Sequence, residues 1–351
     1  MPRKPRFEIP GGIYYVTGKA LPGRKLFRKG KEVRLFLDLL GKACERTGWH
    51  IYAYALTDAQ FQILLKTPEP NLITGMVWQQ GLYTSRINRK REETGSLFQG
   101  RYKTIVLDPD YPEGIQLAAE YIHLSPVRLG LLRIGRKTLS DFEDSSFPAL
   151  IGKPEKRPRW LIAEELFEAE GLPADGRKAY EIRMEELASS LRNPIRLKEF
   201  LKKWKPLERG WFLGTPAFRE KLNILIKTKN DAPATQSLPS SHQPMAEVAV
   251  SPTEGDHGRQ AAETLLQKSS KVLGIDLANL PTKTKGEREK YLLAWVLRTR
   301  TTVSRQWIAE RLQMGDSSRV TTAVQWVESE SHDDKYLSRT ISRLARAQAF
   351  S

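Results

Sequence analysis

The period of apolar and polar positions changes several times along the chain, and each change marks an element. Residues 13–20, IYYVTGKA, are rich in β-branched and aromatic types and follow a Pro-Gly-Gly turn, which predicts a strand. Val33, Phe36, Leu37, Leu40 and Ala43 recur at helical spacing and predict a helix over 31–47. Two apolar runs, 50–56 and 61–66, are separated by the polar stretch Thr57-Asp58-Ala59, which reads as a hairpin or as two neighbouring strands with a tight connection. Asn71 is expected to cap a second helix running to about Arg91, and Tyr102 to Leu107 reads as another strand. A third helix starts near Pro112 and must stop close to Ser125, because Pro126 cannot continue it.

Strand, helix, strand, strand, helix, strand is the order of a split βαβ unit, here with one more helix behind it. The expected class is α+β, a ferredoxin-like sandwich followed by an all-α region and a helix-turn-helix module. From Pro158 to Lys229 the patterns are helical, with LIAEELFEAEG, YEIRMEELASSL and IRLKEFLKKW the clearest. Residues 231–258 are dominated by Ala, Pro, Ser, Thr, Gln and Glu without apolar periodicity, and read as a flexible linker. Three or four helices are expected between Gln260 and Glu328. The organisation that follows is an N-terminal domain over 1–135, a helical extension over 136–229, a linker over 230–259, a second helical module over 260–330 and a basic tail over 331–351.

A chain of 351 residues exceeds what one core usually serves, which agrees with this division. The 57 Lys and Arg against 41 Asp and Glu give a net charge of +16, so a polyanionic partner is expected, nucleic acid first. No apolar run reaches membrane-spanning length and no terminus carries a basic amphipathic segment, which argues against a membrane partner. The opening MPRKPRFEIPGG lacks the apolar core of a secretory signal, so a cytoplasmic location is expected. The single Cys44 excludes an internal disulfide and a cysteine zinc site, and its amphipathic surroundings make it a small core residue.

Three stretches carry a resemblance: the opening MPRKPRFEIPGGIYYVTGKA, GSLFQGRYK at 95–103 and YIHLSPVRLG at 121–130. Together they resemble the REP-associated tyrosine transposases, members of the single-tyrosine branch of the HUH nuclease and transposase superfamily. The second is similar to the family's Phe-Gln-Gly-Arg-Tyr-Lys signature, and the third to its Tyr-x-x-x-Asn-Pro-Val-Arg-x-Gly motif. The resemblance spans roughly 1–132, and GWFLGTPAF at 210–218 looks like a helical-region motif of the same group.

The resemblance implies cleavage of single-stranded DNA by the hydroxyl of Tyr121, leaving a 5′-phosphotyrosine, with a divalent cation polarising the scissile phosphate. It also implies two histidines at i and i+2 of a strand, on one face, and a third ligand one helical turn after the tyrosine. Here the pattern departs. Gln60 and Gln62 stand where the histidines belong, and Ser125 stands where an amide side chain is usual. Neutral amides bind magnesium poorly, and Asp58 is the one carboxylate near enough to help rebuild a site. No cofactor is therefore expected if the site is inactive, and magnesium or manganese if it is active. Tyr121 itself is open to two readings, a reactive hydroxyl or an amphipathic core residue. His123 falls on another helix face and reads as structural or solvated.

Arg86, Arg89, Lys90 and Arg91 close the second helix, Arg101 and Lys103 lie in the signature, and Arg128 follows the third helix. These cations suit a phosphate-facing surface, and Tyr83, Phe98 and Tyr102 among them could stack on unpaired bases. The alternative is a solvated helix end with the aromatics in the core.

In the last domain, TVSRQWIAERLQMGDSSRVTTAVQWV has the spacing of a helix-turn-helix. Ser304 would cap a first helix with Trp307, Ile308 and Leu312 inside. After the turn Gln313-Met314-Gly315, Asp316 would cap a second with Val320, Ala323 and Val324 inside. Ser317, Ser318, Arg319, Thr321, Thr322 and Gln325 would then face outward, as in a helix reading a major groove. With the preceding YLLAWVLR this stretch faintly resembles the C-terminal DNA-binding domain of the replication initiator DnaA.

The expected function is recognition of single-stranded or hairpin DNA by the first domain and of duplex DNA by the last, with cleavage impaired. The alternatives are an active transposase or nickase with a remodelled metal site, and an RNA-binding regulator. Oligomeric state is open.

Overall fold

The computed structural model describes residues 8–28, 30–231, 256–282, 284, 286–301, 303–330 and 334–348. Most of the linker expected over 230–259, and both ends of the tail expected over 331–351, lie outside the described residues. The chain divides into two compact units, Met1–Ala234 and Thr235–Ser351.

The first unit opens with β1 (Gly12–Lys19), α1 (Gly30–Thr47), β2 (His50–Thr57), β3 (Gln60–Thr67), α2 (Leu72–Arg91) and β4 (Lys103–Leu107). The sheet is antiparallel in the order β2-β3-β1-β4. Asp58 and Ala59 close β2 and β3 into a hairpin by pairing Thr57 with Gln60. Alternation along β3 then divides its side chains between two covered faces. Phe61 packs against Phe36 of α1, with ring centroids 5.4 Å apart, and Gln62 turns to the opposite face. Gly18 on the neighbouring strand lies under the Phe61 ring, where a Cβ would come within 2.3 Å, so this position admits no side chain without a shift.

The opposite face is covered by α3 (Pro112–His123). This helix ends one residue before Leu124, and α4 (Ser125–Arg128) restarts with Pro126 in its first turn. A proline there forfeits no intrahelical hydrogen bond, which is why the break falls where the sequence put it. The rest of the unit comprises α5 (Phe147–Ile151), α6 (Glu164–Ala169), α7 (Arg177–Ser190), α8 (Pro194–Arg209), β5 (Phe212–Leu213) and α9 (Pro216–Asp231). One hydrophobic core runs continuously from Ile13 to Leu222 through strands and helices alike.

Residues 210–218, read from the sequence as part of a helical region, instead supply a fifth strand: β5 pairs parallel with β4. Two apolar residues are too few for a period to show. Gly214 lets this turn approach Asp108, whose carboxylate accepts from the Thr215 backbone N–H at 3.0 Å and from its hydroxyl at 2.7 Å.

The second unit holds α10 (Asp256–Leu273), α11 (Arg288–Arg300), α12 (Arg305–Arg311), α13 (Ser317–Glu330) and α14 (Lys335–Gln348). Leu266, Leu293, Leu297, Ile308, Leu312, Met314 and Val320 form its main core. Among the described residues no helix is long and apolar enough to cross a membrane.

Candidate nucleic-acid interface

Tyr121 sits on the sheet-facing side of α3 at 6% exposure, between Tyr15 of β1 and Trp204 of α8. Both neighbours meet it edge-on, with centroids 5.9 and 5.5 Å away. The Arg128 guanidinium lies over the Tyr121 ring at 3.9 Å, and the hydroxyl donates to Glu208 at 3.4 Å. Burial pushes this phenol above its usual range, Arg128 opposes the shift and Glu208 adds to it. A proton is thus harder to remove here than from a free tyrosine.

The positions aligned with metal ligands divide. Gln62 is buried beside the cluster and donates from Nε2 to the Tyr15 hydroxyl at 2.8 Å, leaving its Oε1 without a partner among the described residues. Gln60, paired with Lys19 at the strand end, is half-buried. Ser125 is buried and its hydroxyl has no partner among the described residues. Asp58 is on the hairpin turn, exposed and paired with Lys25 at 2.9 Å. Among the described residues no three His, Cys, Asp or Glu side chains come together as a metal-binding group.

His123 is buried, with its ring nitrogens 2.8 Å from the Tyr180 hydroxyl and 2.8 Å from the Ser146 hydroxyl. Burial pushes its pKa down to about 3. Nearby, Arg183 bridges two buried carboxylates, at 3.4 Å from Glu120 and 2.7 Å from Glu170. Burial raises Glu170 to about 7.

The expected phosphate surface is only partly assembled. Arg86, Arg89, Lys90 and Arg101 are exposed. Arg91 is not available to a ligand: its guanidinium is buried against Glu32 at 2.6 Å and also donates to the Lys25 and Leu26 carbonyls. Lys103 is half-buried and its ammonium donates to the Glu208 carbonyl. Arg128 is half-buried in the Tyr121 stack. The aromatics expected to meet bases are also turned inward. Tyr83 donates to the Leu26 carbonyl at 2.8 Å, Phe98 packs edge-on against Phe61, and Tyr102 is 6% exposed. Large apolar rings between a sheet and its helices gain more from burial than a signature read in one dimension conveys.

In the second unit the Ser304 hydroxyl accepts from the Trp307 N–H at 3.1 Å and opens α12, and the Asp316 carboxylate accepts from the Ser318 N–H at 2.7 Å and opens α13. Between them Gln313 and Gly315 take left-handed φ values of 51° and 90°. Val320 and Ala323 are buried as expected, but the next inward residue is Val327, and Val324 and Trp307 are half-buried. Ser318, Arg319, Thr322 and Gln325 are exposed, while Ser317 and Thr321 are half-buried.

No protein-family model matches the chain, and no curated protein matches it. It is similar to the solved structure of a REP-associated tyrosine transposase bound to a REP hairpin, at 18% identity and a TM-score of 0.36, covering 44% of this chain and 87% of that one. So distant a likeness carries no weight.

Sequence reasoning missed Tyr15, Trp204 and Glu208 as neighbours of Tyr121. Tyr15 had a legible signal, since Thr17, Tyr15 and the facing Gln62 follow from the strand register. Trp204 and Glu208 had none, because α8 reaches Tyr121 across more than eighty residues of chain.

Proposed function

We propose that the protein is a DNA recogniser related to the tyrosine transposases, binding single-stranded or hairpin DNA through the first unit and duplex DNA through the second. The observation that carries the reading is the outer face of α13, where Ser318, Arg319, Thr322 and Gln325 stand exposed after a capped turn. Hydroxyls, an amide and a guanidinium in one row suit both phosphate oxygens and base edges. The net charge of +16 supports the same class of partner. In the first unit, the antiparallel order β2-β3-β1-β4 with its connecting helices supports the ferredoxin-like reading.

Impaired cleavage is part of this reading. A divalent cation fits the residues around Tyr121 poorly: Gln62 and Ser125 offer only neutral oxygens, Asp58 is paired with Lys25 on the turn, and among the described residues no three His, Cys, Asp or Glu side chains come together. The raised phenol pKa points the same way. One observation favours retained cleavage, the Glu208 carboxylate 3.4 Å from the Tyr121 hydroxyl, where a general base would stand.

The test incubates the full chain with labelled hairpin DNA carrying a 5′ extension, with magnesium or manganese, beside Tyr121→Phe. Salt-sensitive binding without covalent capture is expected on native and denaturing gels. Label retained in a slow denaturing band that requires Tyr121 overturns the loss of cleavage. Equal or tighter binding of the same hairpin made of RNA overturns the choice of DNA.

A further inference from the structure

The outward face of α8 is a single-signed stripe. Lys198, Lys202, Lys205 and Arg209 follow one another at spacings of four, three and four residues, which keeps them on one side of a helix. All four are exposed, and none pairs with a carboxylate among the described residues. The opposite side of the same helix holds Phe200, Trp204 and Leu207 in or against the core. The two acids of α8 lie off the stripe and are engaged elsewhere, Glu199 with Arg196 at 3.3 Å and Glu208 with the Tyr121 hydroxyl.

Such a stripe is unfavourable by itself. Like charges three and four residues apart repel along a helix, and the first turn of α8 carries no acid to offset its positive end. A bound polyanion removes both penalties. At 1.5 Å per residue the stripe is roughly 16 Å long, the reach of a few nucleotides rather than of one isolated phosphate. Its C-terminal end meets the Tyr121 cluster, because Glu208 accepts the tyrosine hydroxyl and its carbonyl accepts from Lys103. Ile195, 69% exposed, and Leu201, 39% exposed, flank it on either side. Unpaired bases can cover such apolar flanks, whereas a duplex keeps its base faces stacked inside. A lipid surface fits less well, since the apolar face of α8 is buried in the protein and cannot enter a bilayer.

We propose that α8 carries a single-stranded segment of the bound nucleic acid away from Tyr121, with Lys198, Lys202, Lys205 and Arg209 on successive phosphates. This rests on the reading of the protein as a DNA recogniser and adds a track that the sequence reading did not contain.

The test compares the full chain with a Lys198→Gln, Lys202→Gln, Lys205→Gln, Arg209→Gln variant by fluorescence anisotropy. The probes are a bare DNA hairpin and the same hairpin with an oligothymidine extension of about ten nucleotides. The wild type binds the extended hairpin more tightly. The variant loses that advantage by about tenfold or more, the slope of log affinity against log salt for the extended probe falls by about three, and the bare hairpin is held as before. Relief of repulsion leaves the variant's melting temperature at or above that of the wild type. Arg196→Gln, off the stripe, leaves both affinities unchanged. Unchanged binding of the extended hairpin by the quadruple variant overturns the track, as does an equal loss on the bare hairpin. Loss of binding only to phosphatidylserine vesicles assigns the stripe to a membrane and overturns it too. If the wild type binds neither probe, the DNA reading fails together with the track, an outcome distinct from failure of the track alone.

Discussion

Near Tyr121, Glu208, Gln62 and Arg128 are engaged with tyrosine side chains of the chain, whereas along α13 the polar side chains face outward. Tyr121 meets Glu208, Gln62 meets Tyr15 and Arg128 covers the tyrosine ring. Ser318, Arg319, Thr322 and Gln325 are exposed. Arg and Gln thus serve packing in the first region and stand exposed in the second. The last turn of α2 repeats the contrast within four residues, with Arg91 buried against Glu32 and Arg89 and Lys90 exposed.

The contrast breaks first at Arg91. Arg91→Ala leaves Glu32 as a buried charge without its partner and is expected to cost about 3–5 kcal/mol of stability, against less than about 0.5 kcal/mol for Arg89→Ala. Urea unfolding of the two variants checks this, and equal effects would remove the distinction. His123 comes next. Its folded pKa lies at about 3, below the ordinary value of 6.5, so the unfolded chain takes up the extra proton between those limits. Its contribution to stability is therefore fully present above pH 6.5 and is lost as pH falls toward 3. Unfolding curves across that window are expected to fall less steeply for His123→Asn than for the wild type.

A smaller effect falls on the open side. Arg319→Ala is expected to weaken duplex binding by about 1–3 kcal/mol with melting unchanged, measured by anisotropy and calorimetry together. Lost stability without lost binding would make α13 a structural helix. The smallest effect sharpens the comparison from within the second unit. Ser304→Ala removes the cap on α12 and is expected to cost about 1 kcal/mol of that unit's stability, leaving the unfolding of the first unit unchanged.

Much of the fold was legible because local patterns carried it. The succession of strands and helices along the chain, the hairpin at Asp58 and Ala59, the break at Pro126 and the caps at Ser304 and Asp316 follow from residues near one another in sequence, whereas the pairing of β1 with β3 and β4 joins distant stretches. The candidate sites were legible as residue types and less so as surroundings. Phe98 and Tyr102 suited a stacking role by type, and the core claimed them instead. The basic stripe of α8 was within reach of helical spacing, but only knowing which side of α8 is buried turns that spacing into an exposed face.

By itself the sequence determined the periods, the turns, the caps and the excess of positive charge, because these depend on the backbone and on counting. The tertiary structure alone decided which cations are neutralised by the protein and which remain exposed. Arg91 and Arg89 stand two residues apart in the same helix, and the difference between them is the burial of Glu32 beside one of them. A partner brought from a distant stretch of chain sets the electrostatic environment of a side chain, and no local pattern encodes that distance.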